Sequence, residues 1–431
     1  MNYTKILFIV VLVINCSKVL LRKSLINKNR NIITENKNRS LDEKDKFCFI
    51  LLGDESSTYD KNFYDAAKDV CEELKVEPIL KTNIEEAEKC YNTAKELAET
   101  GCKGIFGNSF DHENGLIKAA KEFNNVQFGH ATGIKAHTEK LDNYHNAFAS
   151  IYEGRYVTGI AAGMKLNEMI EKGEISKSEA KVGFIGAFPY AEVISEYTAF
   201  YLGIKSVCDS ATMIVRYANS WHDEEGEKKL AEKLIDEDKC KIISQDTDSQ
   251  GAPSVCESKG IPNVFYNGEL KSNKNSYLIS LRINWRPYFK YFIKNILDGK
   301  KMDYDWTGNL TNGAVEIYDA SDIAAEGTQD AINKAIAELK EGKLKVFNTS
   351  KFTVDGKPVT SYKFEDDKEL IYDGYFHESE YISAPLFDLK IDGITEIITS
   401  TPSTSVIIFA AAICLIIALL VATILAFSCK A

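Results

Sequence analysis

"KFCFILLGDESSTYDKNFYDAAKDVCEELKVEPILKT", residues 46–82, decides the fold. Its opening "KFCFILL" is a continuous apolar run, the pattern of a strand covered on both faces in a parallel sheet. After a polar turn, apolar residues recur at helical spacing through "KNFYDAAKDVCEELK", and "VEPILKT" returns to strand character. Strand, amphipathic helix and strand in so short a stretch form a βαβ unit, which predicts parallel strands joined by right-handed crossovers.

The unit repeats outward. "IEEAEKCYNTAKELAETG" reads as a helix, "KGIFGN" as a strand, "ENGLIKAAKEFN" as a helix and "VQFGHATG" as a strand. After "NAFASIY" the style starts again with the helix "GRYVTGIAAGMKLNEMIEKG", the strand "KVGFIGAF", a helix over 192–207 and the strand "TMIVRYAN". A charged helix after Trp221, the strand "KIISQDT", another helix and the strand "NVFYNG" follow. "SYLISLRIN" leads to the helix "WRPYFKYFIKNILDG", which crosses back to the first lobe, and the helix "AIAELKEG" with a strand "KVFN" returns to the second. The expected class is therefore α/β, with two doubly wound parallel-sheet lobes joined by a hinge. Lobe one is expected over 46–148, completed by 284–320, and lobe two over 149–283, completed by 321–350. A C-terminal extension of the binding domain is expected over 351–391.

The chain ends follow other rules. Residues 6–14 are apolar behind Lys5, too short to span a bilayer and suited to a signal peptide over 1–17, with a polar linker over 18–45. Residues 392–405 read as a Ser/Thr/Pro stalk that does not pack. Residues 406–427 carry no charge; as a helix they would be roughly 33 Å long, against a hydrocarbon core of about 30 Å. They are expected to form a transmembrane helix before a short tail at 428–431, with a glycolipid-anchor signal as the rival reading. Lys430 favours a cytoplasmic tail, which makes this a single-pass surface protein of the plasma membrane with an extracellular body.

The net charge of −11 excludes a nucleic-acid surface, because the basic residues are scattered among acids. Seven cysteines lie between the end segments, at 48, 71, 90, 102, 208, 240 and 256, without metal-ligand spacing. Export would allow some to pair, for instance among Cys71, Cys90 and Cys102. The chain holds no nucleophile-elbow, phosphate-loop or dinucleotide motif, and its six histidines are scattered, so neither catalysis nor a cofactor nor a metal is expected. Trp221, at the carboxyl end of "TMIVRYAN", sits where ligands bind in open α/β sheets, and two such sheets facing each other make a cleft for a small molecule.

Eight segments together resemble the basic membrane protein family of substrate-binding proteins, the PnrA-like group that includes purine nucleoside receptors of bacterial ABC importers. They are "YDKNFYDAA" (59–67), "IFGNSFDH" (105–112), "QFGHATG" (127–133), "YEGRYVTGIAAG" (152–163), "VGFIGAFPYAEVISEYTAFYLGIKSV" (182–207), "NSWHD" (219–223), "SQDTDS" (244–249) and "NWRPYF" (284–289). The resemblance implies a type I periplasmic-binding-protein fold that closes by hinge motion on a purine base or nucleoside. It also implies delivery to a membrane transporter or signalling through a receptor partner, since a four-residue tail cannot signal alone.

In that family two aromatic rings sandwich the base, and the matching positions are Phe63 and Trp221. Packing of the first helix on its strand competes for Phe63, and core packing competes for Trp221. Asp60 is a candidate acceptor for ring N–H groups or a helix cap, and Asp248 has the same two readings. Asn108 and His130 at lobe-one strand ends would meet the heterocycle's edge or only shape their loops. Asn267 and Trp285, at the next strand end and at the crossing, complete the candidate set. Nucleoside receptors of the family carry an acid for ribose after the strand matching "QFGHATG"; Gly-His stands there in this chain, which favours a base over a nucleoside. Two other classes compete with capture for uptake or sensing: a surface adhesin that keeps the fold without a ligand, and a nucleoside hydrolase.

Overall fold

β1 (Lys46–Ile50) lies inside the first sheet, flanked by β2 (Glu77–Lys81) and β3 (Cys102–Gly107), and both pairings are parallel. β4 (Gln127–Ala131) and β5 (Tyr144–Ala149) extend the sheet beyond β3. The helices between them are α1 (Thr58–Leu74), α2 (Ala87–Glu99) and α3 (Glu113–Glu122). All six residues of β5 are buried, as expected of a strand covered on both faces. α1 starts where the Ser57 hydroxyl accepts the Asp60 amide and stops at Lys75 in the left-handed region, φ 58°. It turns Phe63, Ala66, Ala67 and Val70 into the core.

The computed structural model describes residues 44–398, apart from 86 and 271. The expected signal peptide, nearly all of the polar linker, the last part of the stalk, the transmembrane helix and the tail lie outside the described residues. Among the described residues no helix is long and apolar enough to cross a membrane.

The second lobe opens with α4 (Ile151–Glu171) and builds its sheet from β6 (Lys181–Gly186), β7 (Thr212–Tyr217), β8 (Ile242–Gln245), β9 (Asn263–Tyr266) and β10 (Tyr277–Ile283). Between them run α5 (Ala191–Lys205), α6 (Glu224–Asp236) and α7 (Gly251–Lys259). α4 and α5 approach so closely that a Cβ at Gly203 would collide with the Tyr156 carbonyl. Glycine lets the two backbones meet there.

From β10 the chain returns to lobe one, where α8 (Arg286–Asp298) packs on α1 and β11 (Asp305–Gly308) pairs parallel with β5. It crosses again to form β12 (Val315–Ile317), antiparallel to β10, and α9 (Thr328–Lys340) against α4. Three segments therefore join the lobes: Ser150, residues 284–285 and residues 309–314. The excursion expected to stay in lobe one through residue 320 ends earlier, because β12 finds its partner in lobe two. "KVFN" forms no strand; Val346 and Phe347 instead fill the lobe-two core.

The C-terminal extension folds as three two-residue hairpins around Phe347, Phe352, Phe376 and Phe387, with the Phe347 and Phe387 rings stacked at 4.2 Å. It also reaches lobe one. Asp305 Oδ1 accepts from the Ser383 amide at 2.9 Å and the Ser383 hydroxyl at 2.8 Å, and the Thr307 hydroxyl donates to the Ser379 carbonyl at 3.2 Å. The chain then forms β13 (Ile394–Ile397), which pairs parallel with β7 at the sheet edge. Residues 394–397, expected to belong to an unpacked stalk, are thus part of the lobe-two sheet; the free edge of β7 supplies the backbone partners that a stalk lacks. The cystine also departs from expectation: Cys48 on β1 pairs with Cys102 on β3, across neighbouring strands with Cα atoms 6.2 Å apart. Cys71 and Cys90 are buried free thiols, each packed in the apolar core behind a helix.

Candidate functional site

Loops at the carboxyl ends of both sheets meet around one cavity. From lobe one come Leu52 after β1, Tyr59 in the first turn of α1, Asn108, Ser109 and Phe110 after β3, and Thr132 after β4. From lobe two come Glu192 and Glu196 on α5, Trp221 after β7, Asp246 and Asp248 after β8, and Tyr266 at the end of β9. The walls stand close together and leave a cavity of about 20 Å³ between them. A wider groove shares Leu52, Trp221 and Asp248 and opens to solvent past Asp60 and His222.

The lobes touch around this cavity. The Thr58 amide and hydroxyl donate to the Asp248 carbonyl at 3.2 and 3.3 Å, and Asn62 Nδ2 donates to the Asn267 carbonyl at 2.9 Å. Across the mouth the Phe110 and Tyr190 rings stack at 5.8 Å. Tyr190 in turn stacks on Phe188 at 5.1 Å, and Phe188 meets the edge of Trp221 at 5.5 Å. Trp221 is half-buried in this aromatic group, which is why a tryptophan stands at so polar a junction in the sequence.

The lobe-one wall spends its polar atoms on itself. Asn108 Nδ2 donates to Asp60 Oδ1 at 2.7 Å, Asn108 Oδ1 accepts from the Leu52 amide at 2.8 Å, and the Tyr59 hydroxyl donates to the Asn108 carbonyl at 2.8 Å. His130 lies behind this wall, with Nε2 on the Ser109 carbonyl at 2.7 Å and Nδ1 on the Tyr144 hydroxyl at 3.3 Å. Burial drives its pKa down to about 4, so it holds the loop as a neutral ring. Thr132 is the exception. It holds φ at 62°, strained for a β-branched residue, and its buried hydroxyl has no partner.

The lobe-two wall is acidic. Buried Arg155 donates through Nε to Glu196 at 2.6 Å and through Nη2 to the Gln245 carbonyl at 3.0 Å, and lies 4.1 Å from the Tyr266 ring centroid. Asp246 Oδ1 accepts from the Ala187 amide at 2.8 Å, while its Oδ2 is buried without a partner. Burial, reinforced by neighbouring carboxylates, lifts Glu192, Asp246 and Asp248 well above the ordinary acid range.

Of the sequence-predicted residues, the fold brings Trp221, Asp248 and Asn108 to the cavity. Phe63 is not there: it is wholly buried and stacks on Trp285 at 4.2 Å, so the two form lobe-one core. One turn nearer the strand end, Tyr59 presents the lobe-one ring in its place. Asp60 braces Asn108 and lines the outer groove, and Ser57 caps the helix in its stead. Asp248 caps nothing, since Gln250 stands at the α7 cap position. His130 and Asn267 support the wall from behind, Asn267 at φ 58° with its Oδ1 accepting from the Ile283 amide at 3.4 Å. Phe110, Thr132, Glu192, Glu196, Asp246 and Tyr266 were not predicted. For Phe110, Thr132, Asp246 and Tyr266 the signal was position just beyond or at the end of a strand, whereas Glu192 and Glu196 lie on the first two turns of α5.

A cavity shut between two doubly wound lobes, walled on both sides by strand-end loops, defines a two-lobed solute-binding protein. The chain belongs to the PnrA-like family of ABC transporter substrate-binding proteins, whose Bmp family model matches residues 50–348. A purine-binding protein of Brucella abortus is 32% identical over 313 residues, covering 71% of this chain and 84% of its own. A putative ABC transporter glucose-binding protein of Haloferax volcanii is 27% identical over 260 residues, covering 60% and 62%. Among solved structures, an ABC transporter solute-binding protein of Conexibacter woesei superposes with a TM-score of 0.58 at 15% identity, covering 70% of this chain and 98% of its own. The family is one of binding proteins rather than enzymes.

Proposed function

We propose that this protein captures a purine base in the cavity between its lobes and holds it outside the cell for uptake or sensing. The observation that carries this reading is the company of Tyr59, Phe110 and Trp221 around a small cavity that Glu192, Glu196, Asp246 and Asp248 also line. Aromatic faces suit a flat heterocycle, and a base stacked on a ring gains about 1–3 kcal/mol. Carboxylates suit its N–H edge. The purine-binding relative agrees with this chemistry. The tightness of the cavity and the absence of an acid after β4 favour the base over its nucleoside.

On this proposal the apolar segment at 406–427 anchors the body at the cell surface, and a membrane transporter or receptor takes over the cargo. Thermal melting of the purified full chain with adenine, guanine, hypoxanthine and adenosine is the test. A ligand at 100 times its Kd stabilises by about 2.7 kcal/mol, a shift of several degrees. No shift with any purine would remove the reading and leave a surface module without a ligand.

A further inference from the structure

We infer that the Thr132 hydroxyl is the polar anchor of lobe one for the bound purine, an inference that rests on the purine reading. Thr132 lines the cavity just past the end of β4, is 5% exposed, and its Oγ1 has no hydrogen-bond partner among the described residues. Of the residues that line the cavity, only Asp246 on the opposite lobe also keeps a buried oxygen without one. The polar groups beside Thr132 on lobe one are already matched, Asn108 at both ends of its amide and Tyr59 through its hydroxyl.

The backbone imposes this placement. Thr132 holds φ at 62°, and the other non-glycine residues with positive φ among the described residues are Lys, Asn, Asp and Ser, so it is the one β-branched side chain in that region. Such a residue costs free energy there that glycine would not, and it persists only where its surroundings over-determine the chain. The Thr132 amide donates to the Ala147 carbonyl at 3.3 Å, a Cβ on Gly133 would collide with Asn146 and His130, and Glu113 Oε1 accepts the Ile134 and Lys135 amides at 2.7 and 2.8 Å. The loop is thus held on both sides of Thr132 and fixes its side chain at the cavity wall. A buried hydroxyl left unmatched costs free energy, and the ligand in the cavity is the group placed to match it. A hydroxyl donates one proton and accepts at two lone pairs, so by rotation it meets an N–H or a ring nitrogen alike, which makes it an anchor rather than a discriminator between bases.

The test is calorimetric titration of the full chain and three variants with adenine, guanine and hypoxanthine, alongside melting of each chain without ligand. Thr132→Val keeps the branched shape and loses the hydroxyl. The bases that bind wild type are expected to bind it about 5- to 10-fold more weakly, while its ligand-free melting temperature stays level or rises because an unmatched polar atom has gone. Thr132→Gly also loses the hydroxyl but suits the positive φ, so it does not depend on whether a branched side chain is tolerated, and should weaken binding at least as much. Thr132→Ser keeps the hydroxyl and should stay closer to wild type than either. Thr132→Val or Thr132→Gly binding as tightly as wild type, or Thr132→Ser losing as much as Thr132→Val, would overturn the inference and leave the purine reading intact. A drop in ligand-free melting that matches the lost affinity would likewise make Thr132 a packing residue. Binding of no base by the wild-type chain would overturn both.

Discussion

The two walls of the cavity are finished to different degrees. On lobe one, both ends of the Asn108 amide are taken by Asp60 and Leu52, and His130 is neutral and tied to Ser109. On lobe two, Asp246 keeps an unmatched oxygen and three acids are held well above their usual range. Apart from the Thr132 hydroxyl, lobe one therefore offers a prebuilt surface, whereas lobe two, which also carries Trp221, holds the buried acids and the unmatched Asp246 oxygen. The supports beneath them differ too. A cystine across β1 and β3 braces lobe one, while the extension past the family match braces lobe two and reaches over to Asp305 and Thr307.

The sharpest break of this contrast is Phe63→Ala. A wholly buried ring stacked on Trp285 should cost about 3–5 kcal/mol of stability, read as a lower denaturation midpoint, with purine affinity per folded molecule within a few-fold of wild type. A variant that kept its stability and lost purine binding would return Phe63 to the site.

The pH response comes next. Burial lifts Glu378 from the ordinary 4.5 to about 7, although the Ser195 hydroxyl and two amides bond to it. Its folded value is the higher one, so its stabilising effect is complete below about pH 4.5 and is lost as pH rises through 7, on the order of 3 kcal/mol in all. His130 acts in the opposite sense, since its folded value near 4 lies below the ordinary 6.5 and stability falls as pH drops through that window. Melting curves from pH 4.5 to 8 should show Glu378→Gln flattening the loss on the alkaline side; an unchanged slope would mean that Glu378 does not titrate there.

Trp221→Ala should cost about 1–3 kcal/mol of purine binding with little change in melting temperature, because the ring is half-buried and stands on a loop. Equal loss of stability and affinity would instead make it a packing residue. The smallest effect is expected from Ser383→Ala, which removes one of the two bonds to Asp305 that tie the extension to lobe one. About 1 kcal/mol of stability should go, and unchanged melting would show the tie to be slack.

Read without any structure, the chain already determines its alternation of strands and helices, its division into two lobes and the placing of Trp221 and Asp248 at strand ends, because hydrophobic period and loop position are local properties. Only the tertiary structure decides which ring of α1 meets the ligand. Tyr59 and Phe63 are one helical turn apart on the same face, and what separates them is the rim of the sheet beneath, which leaves Tyr59 at the cavity and covers Phe63 with α8. The same holds for the acids, since Glu192 and Asp246 become a cluster only when α5 and the end of β8 are packed side by side. It holds equally for Cys48 with Cys102, and for the strand at 394–397, which gains order from the free edge of β7. Contacts between distant segments depend on which surfaces the packed lobes bring together, and that is a property of the whole fold.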